Sequence, residues 1–347
     1  MMGNNGMSAA VGKRKFGGVI KKITGAREFG LTVAFAVLIV LALIITPDLF
    51  QVETLLSNLR NYAYVGIMVL GMMGVIITGG IDLSVGSTLA LTGAITATIL
   101  NNAYDNKTNF PTFVLVIIGI AVGAVCGFIN GVLIGKLKVQ PMIATLATMY
   151  IYRGAAYIVS GGTWITASKL TDGFKNLTTG KFLGIYHIIW YLIILIAIFA
   201  VFYRYTTSGR RFYAVGTNEE SAKIIGIKTD RVKILAYTVM GTLAGFCGIL
   251  FVSNLAIFNA SIGDGVELDV IAICVLGGVS IVGGKGTLLG AVIAFLMMTI
   301  VSAFLSMITG MSVWSDALKG LIIVVAVLVN VITAYMSEKR TLKERVI

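Results

Sequence analysis

The chain has 347 residues, of which 57% are hydrophobic and only 12% are charged, and its formal net charge is +12. Soluble domains contain roughly half apolar and about a quarter charged residues. This composition, with a mean hydropathy of +0.95, therefore excludes a soluble domain and indicates an integral membrane protein. The positive charge indicates membrane orientation and contact with anionic lipid rather than nucleic-acid binding.

Ten apolar runs are spread along the chain, which excludes an outer-membrane barrel of alternating strands. A helix needs about 20 apolar residues to cross the hydrocarbon core, and most of the runs approach that length. The eighth run is short and is interrupted by Gly277 and Gly278. The predicted spans are 30–47, 61–79, 84–101, 112–135, 141–160, 184–203, 232–254, 266–282, 287–308 and 315–336.

Both ends of the chain are basic. Residues 1–29 are polar and glycine-rich, which predicts a flexible cytoplasmic tail rather than a secretory signal, and 337–347 form a second basic tail. Because Lys and Arg accumulate on the cytoplasmic side, both ends are predicted to be cytoplasmic, which requires an even number of spans. With ten spans, 20 of the 27 Lys and Arg residues lie on that side. We expect an all-α polytopic membrane protein with a transmembrane domain at 30–336, a cytoplasmic loop at 204–233 and an outer loop at 161–183.

A polar, glycine-rich cluster separates the second and third spans. It contains Gly80, Asp82, Ser84, Gly86 and Ser87. A charged side chain at membrane depth is costly and marks either a transport pathway or a structural pair. At a span boundary, however, the same carboxylate and hydroxyl groups cap the following helix. Both interpretations stay open: the cluster either caps the third span or lines the path.

The longest charged stretch between two spans lies in the loop 204–233. Within it, Asn218 can cap a helix, Glu219 and Glu220 suit the positive N-terminal end, and Gly226 suits a C-terminal stop. We expect a short exposed helix bounded by cations. Such a helix lacks the groups of an active site but offers a rigid docking element for a partner. The alternative is an ordinary solvated loop.

A second glycine cluster, at 277–287, superficially resembles a phosphate-binding loop. A Walker A loop needs a glycine five residues before its Gly-Lys pair and a Ser or Thr after it. Here the earlier position is Val279, and Lys285 is followed by Gly286. The chain also has one histidine and three widely spaced cysteines, so no catalytic or metal-binding residue is predicted. Any ATP-driven function must take its energy from a partner.

Four motifs carry a family resemblance. They are the cluster at 80–87, the pattern from Gly216 to Ile227, the segment 265–269 and the glycine-rich segment 276–286. In order and spacing they resemble the permease subunits of bacterial ATP-binding-cassette sugar importers, in the branch of the ribose, galactose, xylose, rhamnose and autoinducer-2 permeases. The resemblance covers about residues 30–336.

This resemblance implies a fold similar to the vitamin B12 permease and a location in the bacterial plasma (inner) membrane. The chain would form the translocation path for a monosaccharide or a sugar-like solute, as one of two permease copies in a homodimer or a related heterodimer. ATP and Mg would bind to a separate cytoplasmic ATPase, and this chain would bind no cofactor. A periplasmic or lipid-anchored binding protein would deliver the solute.

The resemblance also assigns roles to residues. Trp164, in the outer loop, is a candidate for docking the binding protein. The ATPase-coupling residues are Gly216, Asn218, Glu219, Glu220, Ala222, Gly226 and Ile227. The residues that line the path or form structural glycine clusters are Gly80, Asp82, Ser84, Gly86, Ser87, Glu267, Asp269, Gly277 and Gly278.

The alternative function is an ion-coupled secondary transporter of a small polar solute. Such proteins place ionisable residues near the membrane midplane. Asp316 and Lys319 are three residues apart and can pair locally on a helix. A co-encoded chain with Walker motifs would favour the importer. The other ionisable candidates are Arg153 and, near the span ends, Asp82, Asp264, Glu267 and Asp269.

Overall fold

The computed structural model describes residues 29–308, apart from 109, 167 and 168, together with 314, 317, 320, 321 and 324. The two predicted basic tails, except for Phe29, and most of the predicted tenth span at 315–336 therefore lie outside the described residues. The fold can therefore be compared with the predicted spans only over the helices between Phe29 and Ile308.

Helices dominate the described residues. They are α1 (Phe29–Ile45), α2 (Val52–Ile77), α3 (Val85–Asp105), α4 (Thr112–Gly135), α5 (Pro141–Ser160), α6 (Asp172–Thr179), α7 (His187–Tyr205), α8 (Thr207–Thr217), α9 (Glu219–Ile224), α10 (Thr229–Leu255), α11 (Val266–Leu276) and α12 (Leu288–Met307). A 3-10 helix, Pro47–Phe50, precedes α2. The strands Lys181–Phe182 and Ile185–Tyr186 form a small antiparallel hairpin before α7.

Six of the described helices are long and apolar enough to cross a membrane: α2, α4, α5, α7, α10 and α12. Each overlaps a predicted span, and α4 and α5 coincide with 112–135 and 141–160 to the residue. The helix α3 matches the third predicted span in position and has 21 residues, but its Ser and Thr side chains make it less apolar. The sequence therefore correctly predicted a polytopic helical membrane protein.

The eighth predicted span is wrong as a continuous helix over 266–282. The helix α11 has 11 residues and ends at Leu276. At about 1.5 Å per residue it is roughly half as long as the hydrocarbon core is thick. The chain turns at Gly278, whose φ of +83° is open to glycine but costly for other residues. Gly277 and Gly278, which interrupt this apolar run in the sequence, mark the stop.

The helix α2 lies at the centre of the described bundle. It packs against α7, α10, α11 and α12, and nearly every residue from Tyr62 to Ile77 is buried. A helix that is apolar on all sides is buried by its neighbours rather than exposed to lipid along one face. Movement of α2 must therefore displace several packed helices.

Glycines bring α4 and α10 into backbone contact. A Cβ atom on Gly123 would overlap the carbonyl oxygen of Gly241 and lie 2.6 Å from the Cα of Gly245. Gly127 faces the backbone of Tyr237 in the same way. The four-residue spacing of Gly123, Gly127 and Gly131 makes this close helix approach possible, because only glycine allows it here.

The described part of the predicted outer loop at 161–183 contains secondary structure. It contains α6, which is held against α10 by a hydrogen bond of 2.8 Å between the hydroxyls of Thr178 and Ser253. Trp164 precedes this helix, and its side chain is 67% exposed. The described part of this segment therefore presents an exposed aromatic ring next to a packed helix.

Candidate coupling and translocation sites

The predicted short helix in the charged loop is α9. Its N-cap is Asn218, whose side-chain oxygen accepts a hydrogen bond from the Ser221 N–H at 2.8 Å. After the helix, Gly226 adopts a left-handed φ of +83°. The predicted start and stop are confirmed, because both depend on local chemistry: an orphan N–H at the helix start and a backbone turn at its end. The coupling role stays a prediction.

One face of α9 contacts the protein and the rest is exposed. Ala222 is buried against the neighbouring helices. Ile224 is 85% exposed and Ile225 is 73% exposed, and Glu220 is exposed beside them. Two adjacent isoleucines thus project from a polar loop without packing against this chain, as a surface that contacts a partner would require.

Glu219 attaches α9 to the rest of the chain. Its carboxylate accepts hydrogen bonds from Lys233 at 2.5 Å and from Thr229 at 3.1 Å. Lys223 lies at 3.2 Å and Lys138 at 3.9 Å. The sequence analysis placed Glu219 at the helix N-terminus but missed these partners, because Lys233 and Lys138 come from other helices or their ends. The Glu219 side chain positions α9 from within the chain.

The ionisation of Glu219 reflects this attachment. Partial burial raises the pKa of its carboxyl, but the hydrogen bonds from Lys233 and Lys223 outweigh burial and lower the pKa to about 2. The folded-state pKa is thus below the usual value of 4.5. The contribution to stability is fully present above about pH 4.5 and is lost as the pH falls towards 2.

Glu219→Gln is expected to loosen α9. The substitution removes the charge that Lys233 and Lys223 contact, so amide hydrogens of α9 should exchange about 3- to 10-fold faster at neutral pH. Hydrogen exchange with mass spectrometry measures this. Glu220→Gln is the control, because Glu220 is exposed and no ion pair is described for it. Equal exchange in both variants would show that the lysine contacts do not hold the helix.

Gly216 joins the charged loop to the centre of the bundle. It lies in the last turn of α8, where a Cβ atom would overlap the carbonyl oxygen of Ile77, the last residue of α2. The same oxygen accepts a hydrogen bond of 2.9 Å from the N–H of Gly284. Three segments that the sequence analysis treated separately therefore meet: the charged loop, the end of α2 and the second glycine cluster.

The second glycine cluster also packs α11 against α12. A Cβ atom on Gly277 would lie 2.6 Å from the Cα of Ala291, near the start of α12. Gly278 provides the left-handed turn that follows α11. The structure thus gives both glycines a structural explanation, which is one of the two roles predicted for them.

Asp82 lies in a buried hydrogen-bonded group. Its Oδ1 atom accepts hydrogen bonds from the Ser84 N–H at 2.9 Å and from the Ser84 hydroxyl at 2.7 Å. The amide of Asn130, on α4, donates to the Ser84 hydroxyl at 2.8 Å and lies 3.5 Å from Oδ1. No side chain caps α3, because its N-cap residue Ser84 makes no side-chain cap hydrogen bond. The group instead fixes Ser84 at the start of α3 and ties it to α4, and a role in lining the path stays a prediction. The sequence analysis missed Asn130.

The other members of the cluster are packing positions. A Cβ atom on Gly80 would overlap the hydroxyl of Tyr237, and the Ser87 hydroxyl donates to the Ser84 carbonyl at 2.8 Å. A Cβ atom on Gly86 would overlap the carbonyl oxygen of Gly263 and the Oε2 atom of Glu267. The start of α3 is therefore pressed against the start of α11.

A polar cavity of about 600 Å³ opens between α2, α11 and α12. Within it, the Tyr62 hydroxyl donates a hydrogen bond of 2.9 Å to Asp269. Amide, hydroxyl and carboxyl groups can pair with the hydroxyls of a polar solute. The sequence analysis identified Asp269 and missed the polar residues inside apolar spans. The polar lining residues are Asn58, Asn61, Tyr62, Tyr64, Asp264, Asp269, Thr299, Ser302 and Ser306.

The Arg153 guanidinium contacts two carbonyl oxygens and one carboxylate. Its guanidinium donates to the carbonyl oxygens of Ala260 and Ile262 at 2.8 and 2.6 Å and pairs with Asp264 at 2.5 Å. A cation held by three partners is a structural tie between α5 and the segment before α11. This removes a candidate for ion coupling. The predicted pair Asp316 and Lys319 lies outside the described residues.

Import permeases are similar to this chain over most of its length. The ribose import permease protein RbsC of Haemophilus influenzae is 36% identical over 300 residues, which are 86% of this chain and 91% of that protein. The same-named protein of Bacillus subtilis is 36% identical over 315 residues, 91% of this chain and 94% of that protein. The autoinducer 2 import system permease protein LsrC of Salmonella typhimurium is 33% identical over 305 residues, 88% of this chain and 86% of that protein. No solved structure matches this chain.

These relatives confirm the resemblance to importer permeases that the four motifs indicated. With the six apolar helices, they identify a multi-pass protein of the bacterial inner membrane. The family described as "Branched-chain amino acid transport system / permease component" matches residues 54–327, from the first turn of α2 to beyond α12. The chain belongs to this family of transport-system permease components.

Proposed function

We propose that this chain is the membrane-spanning subunit of an ATP-driven importer and forms the translocation path for a monosaccharide or sugar-like solute. The relatives named as ribose and autoinducer-2 permeases support that solute class, whereas the family description names branched-chain amino acids. The names of these relatives carry the choice. The amide, hydroxyl and carboxyl groups of the cavity can pair with the hydroxyls of a sugar, and Val266, Leu268 and Ala303 line the cavity beside them.

Energy enters, in this proposal, through α9. ATP and Mg bind to a separate cytoplasmic ATPase chain, and this chain binds no cofactor. The ATPase contacts the exposed Ile224. Displacement of α9 passes through α8 to the backbone contact between Gly216 and Ile77. Since α2 also carries Asn58 into the polar cavity, the same helix joins the docking surface to the path. The path then alternates between facing out and facing in.

The finer arrangement is part of the same proposal. The charge distribution supports ten helices with both termini cytoplasmic, as in the vitamin B12 permease, and basic tails at 1–29 and 337–347. Two permease copies, identical or related, form the path together. A periplasmic or lipid-anchored binding protein docks on the outer segment 161–183, where the exposed ring of Trp164 is available for contact.

Reconstitution tests the function. The full chain is combined in proteoliposomes with its co-encoded ATPase and binding protein, and uptake of ribose is compared with uptake of leucine. We expect ATP-dependent ribose uptake, lowered about 10-fold or more by Asn58→Leu because the cavity loses a polar partner for the solute. Asn101→Leu is the matched control, since Asn101 is similarly half-buried but lies outside the cavity.

Two results would contradict the proposal. Leucine uptake in preference to sugars would favour the function named in the family description. Uptake driven by a proton or sodium gradient without the ATPase would favour the ion-coupled secondary transporter, the alternative that the engagement of Arg153 argues against.

A further inference from the structure

A second pocket lies apart from the polar cavity. It has a volume of about 380 Å³ and is enclosed by α8, the turn after α9 and the first two turns of α10. Three cationic side chains line it: Arg211, Lys228 and Arg231. The transport function proposed above uses none of these three residues.

The positive charge of this pocket is uncompensated. Among the described residues, no carboxylate lines it, and no ion pair involves Arg211, Lys228 or Arg231. On neighbouring elements Glu219 binds Lys233 and Asp230 pairs with Lys138, and the exposed Glu220 of α9 does not line the pocket. The positive N-terminal end of α10 adds to the field. Three exposed cations around one concavity repel one another, so an anion bound among them stabilises the arrangement.

The opposite wall of the pocket is apolar. Ile225 is 73% exposed and Leu235 is 38% exposed, and both line the pocket together with Phe212. Leu235 lies in the second turn of α10, a helix apolar and long enough to span the membrane. The pocket is therefore at the end of a candidate span, where a lipid headgroup meets its acyl chains. A free phosphate would leave the apolar wall unused.

We propose that this pocket binds one anionic phospholipid. The phosphate contacts Arg211, Lys228 and Arg231, and the glycerol and first acyl carbons cover Ile225 and Leu235. Basic pockets beside transmembrane helices are suited to anionic headgroups. Because Gly226 also lines the pocket, the lipid lies directly against the turn that ends α9. The proposal rests on this geometry and holds whatever solute the chain transports.

The test measures lipid binding to the full-length chain. Nanodiscs of phosphatidylcholine with increasing phosphatidylglycerol are prepared, and lipid retained by the protein is counted by native mass spectrometry. The variant Arg211→Gln/Lys228→Gln/Arg231→Gln is expected to bind phosphatidylglycerol roughly 100-fold more weakly, at about a factor of five for each cation. Lys228→Gln alone is expected to weaken binding about 5-fold, which provides a measurement if the triple variant does not fold. Excess inorganic phosphate should not displace the lipid.

The control removes charge from the neighbouring surface. Lys136→Gln/Lys285→Gln neutralises two exposed lysines outside the pocket, and it should retain phosphatidylglycerol as the unmodified chain does. Equal retention by the Lys228→Gln and unmodified chains would overturn the proposal, as would displacement of the lipid by inorganic phosphate. It would also be overturned if the triple variant kept its lipid and lost only the ATPase, because the cations would then contact an acidic surface of that protein.

Discussion

Replacing Gly86 with leucine is expected to lower solute uptake at least about 20-fold while leaving membrane insertion unchanged. A Cβ atom at this position would overlap the carbonyl oxygen of Gly263 and the Oε2 atom of Glu267. One obstacle is backbone, so α3 and the start of α11 must separate. Overpacking of this kind costs about 1–3 kcal/mol or more. The displaced segment leads into α11, which carries Asp269 in the polar cavity.

Uptake by proteoliposomes and the amount of protein in the membrane fraction measure the two effects separately. Gly154→Leu is the matched control, because Gly154 also lies in a helix but has open space around it. Gly86→Ala should give an intermediate loss, since its single methyl group already meets Gly263. Normal uptake by Gly86→Leu would mean that the cluster is only a surface turn and that the close approach does not constrain the path.

Gly226→Val is expected to weaken ATPase binding about 10-fold or more and to abolish stimulation of ATP hydrolysis by the solute. At a φ of +83°, a β-branched side chain strains the backbone, so the turn that ends α9 changes and Ile224 and Ile225 move. Gly226→Asn is the control, because asparagine tolerates the left-handed conformation and should keep nearly normal binding. Co-purification and ATP hydrolysis by the reconstituted complex measure the outcome.

Ile224→Ser tests the same surface without backbone strain. It should weaken ATPase binding about 10-fold, as expected for loss of an apolar anchor at an interface. Val282→Ser is the comparison, because Val282 is 87% exposed and precedes the glycine loop 283–287. If Val282→Ser loses binding while both α9 variants retain it, the loop 283–287 contacts the ATPase and α9 does not. Glu219→Arg is a poorer test, because it also breaks the contacts with Lys233.

The sequence predicted an element correctly where the residues of one short segment determine its start or its end. The start of α9 depends on Asn218 and an N–H three residues later, and its stop depends on one glycine with a left-handed φ. The spans α4 and α5 follow from continuous apolar runs. The span predicted at 266–282 was too long, because Ile281 and Val282 lie beyond the turn at Gly277 and Gly278, the two glycines that interrupt the run in the sequence.

The sequence by itself determined the membrane class, the main helices and the short helix α9, because composition, apolar run length and capping act over a few residues. Only the tertiary structure decided which side chains contact each other across these helices. Asp82 meets Asn130 across 48 residues, and Tyr62 meets Asp269 across 207. These contacts depend on which helix faces which, and that arrangement follows from packing over the whole bundle, including the backbone contact of α4 with α10. Local sequence patterns do not show which helices face each other. The polar cavity and the basic pocket could therefore be identified only in the tertiary structure.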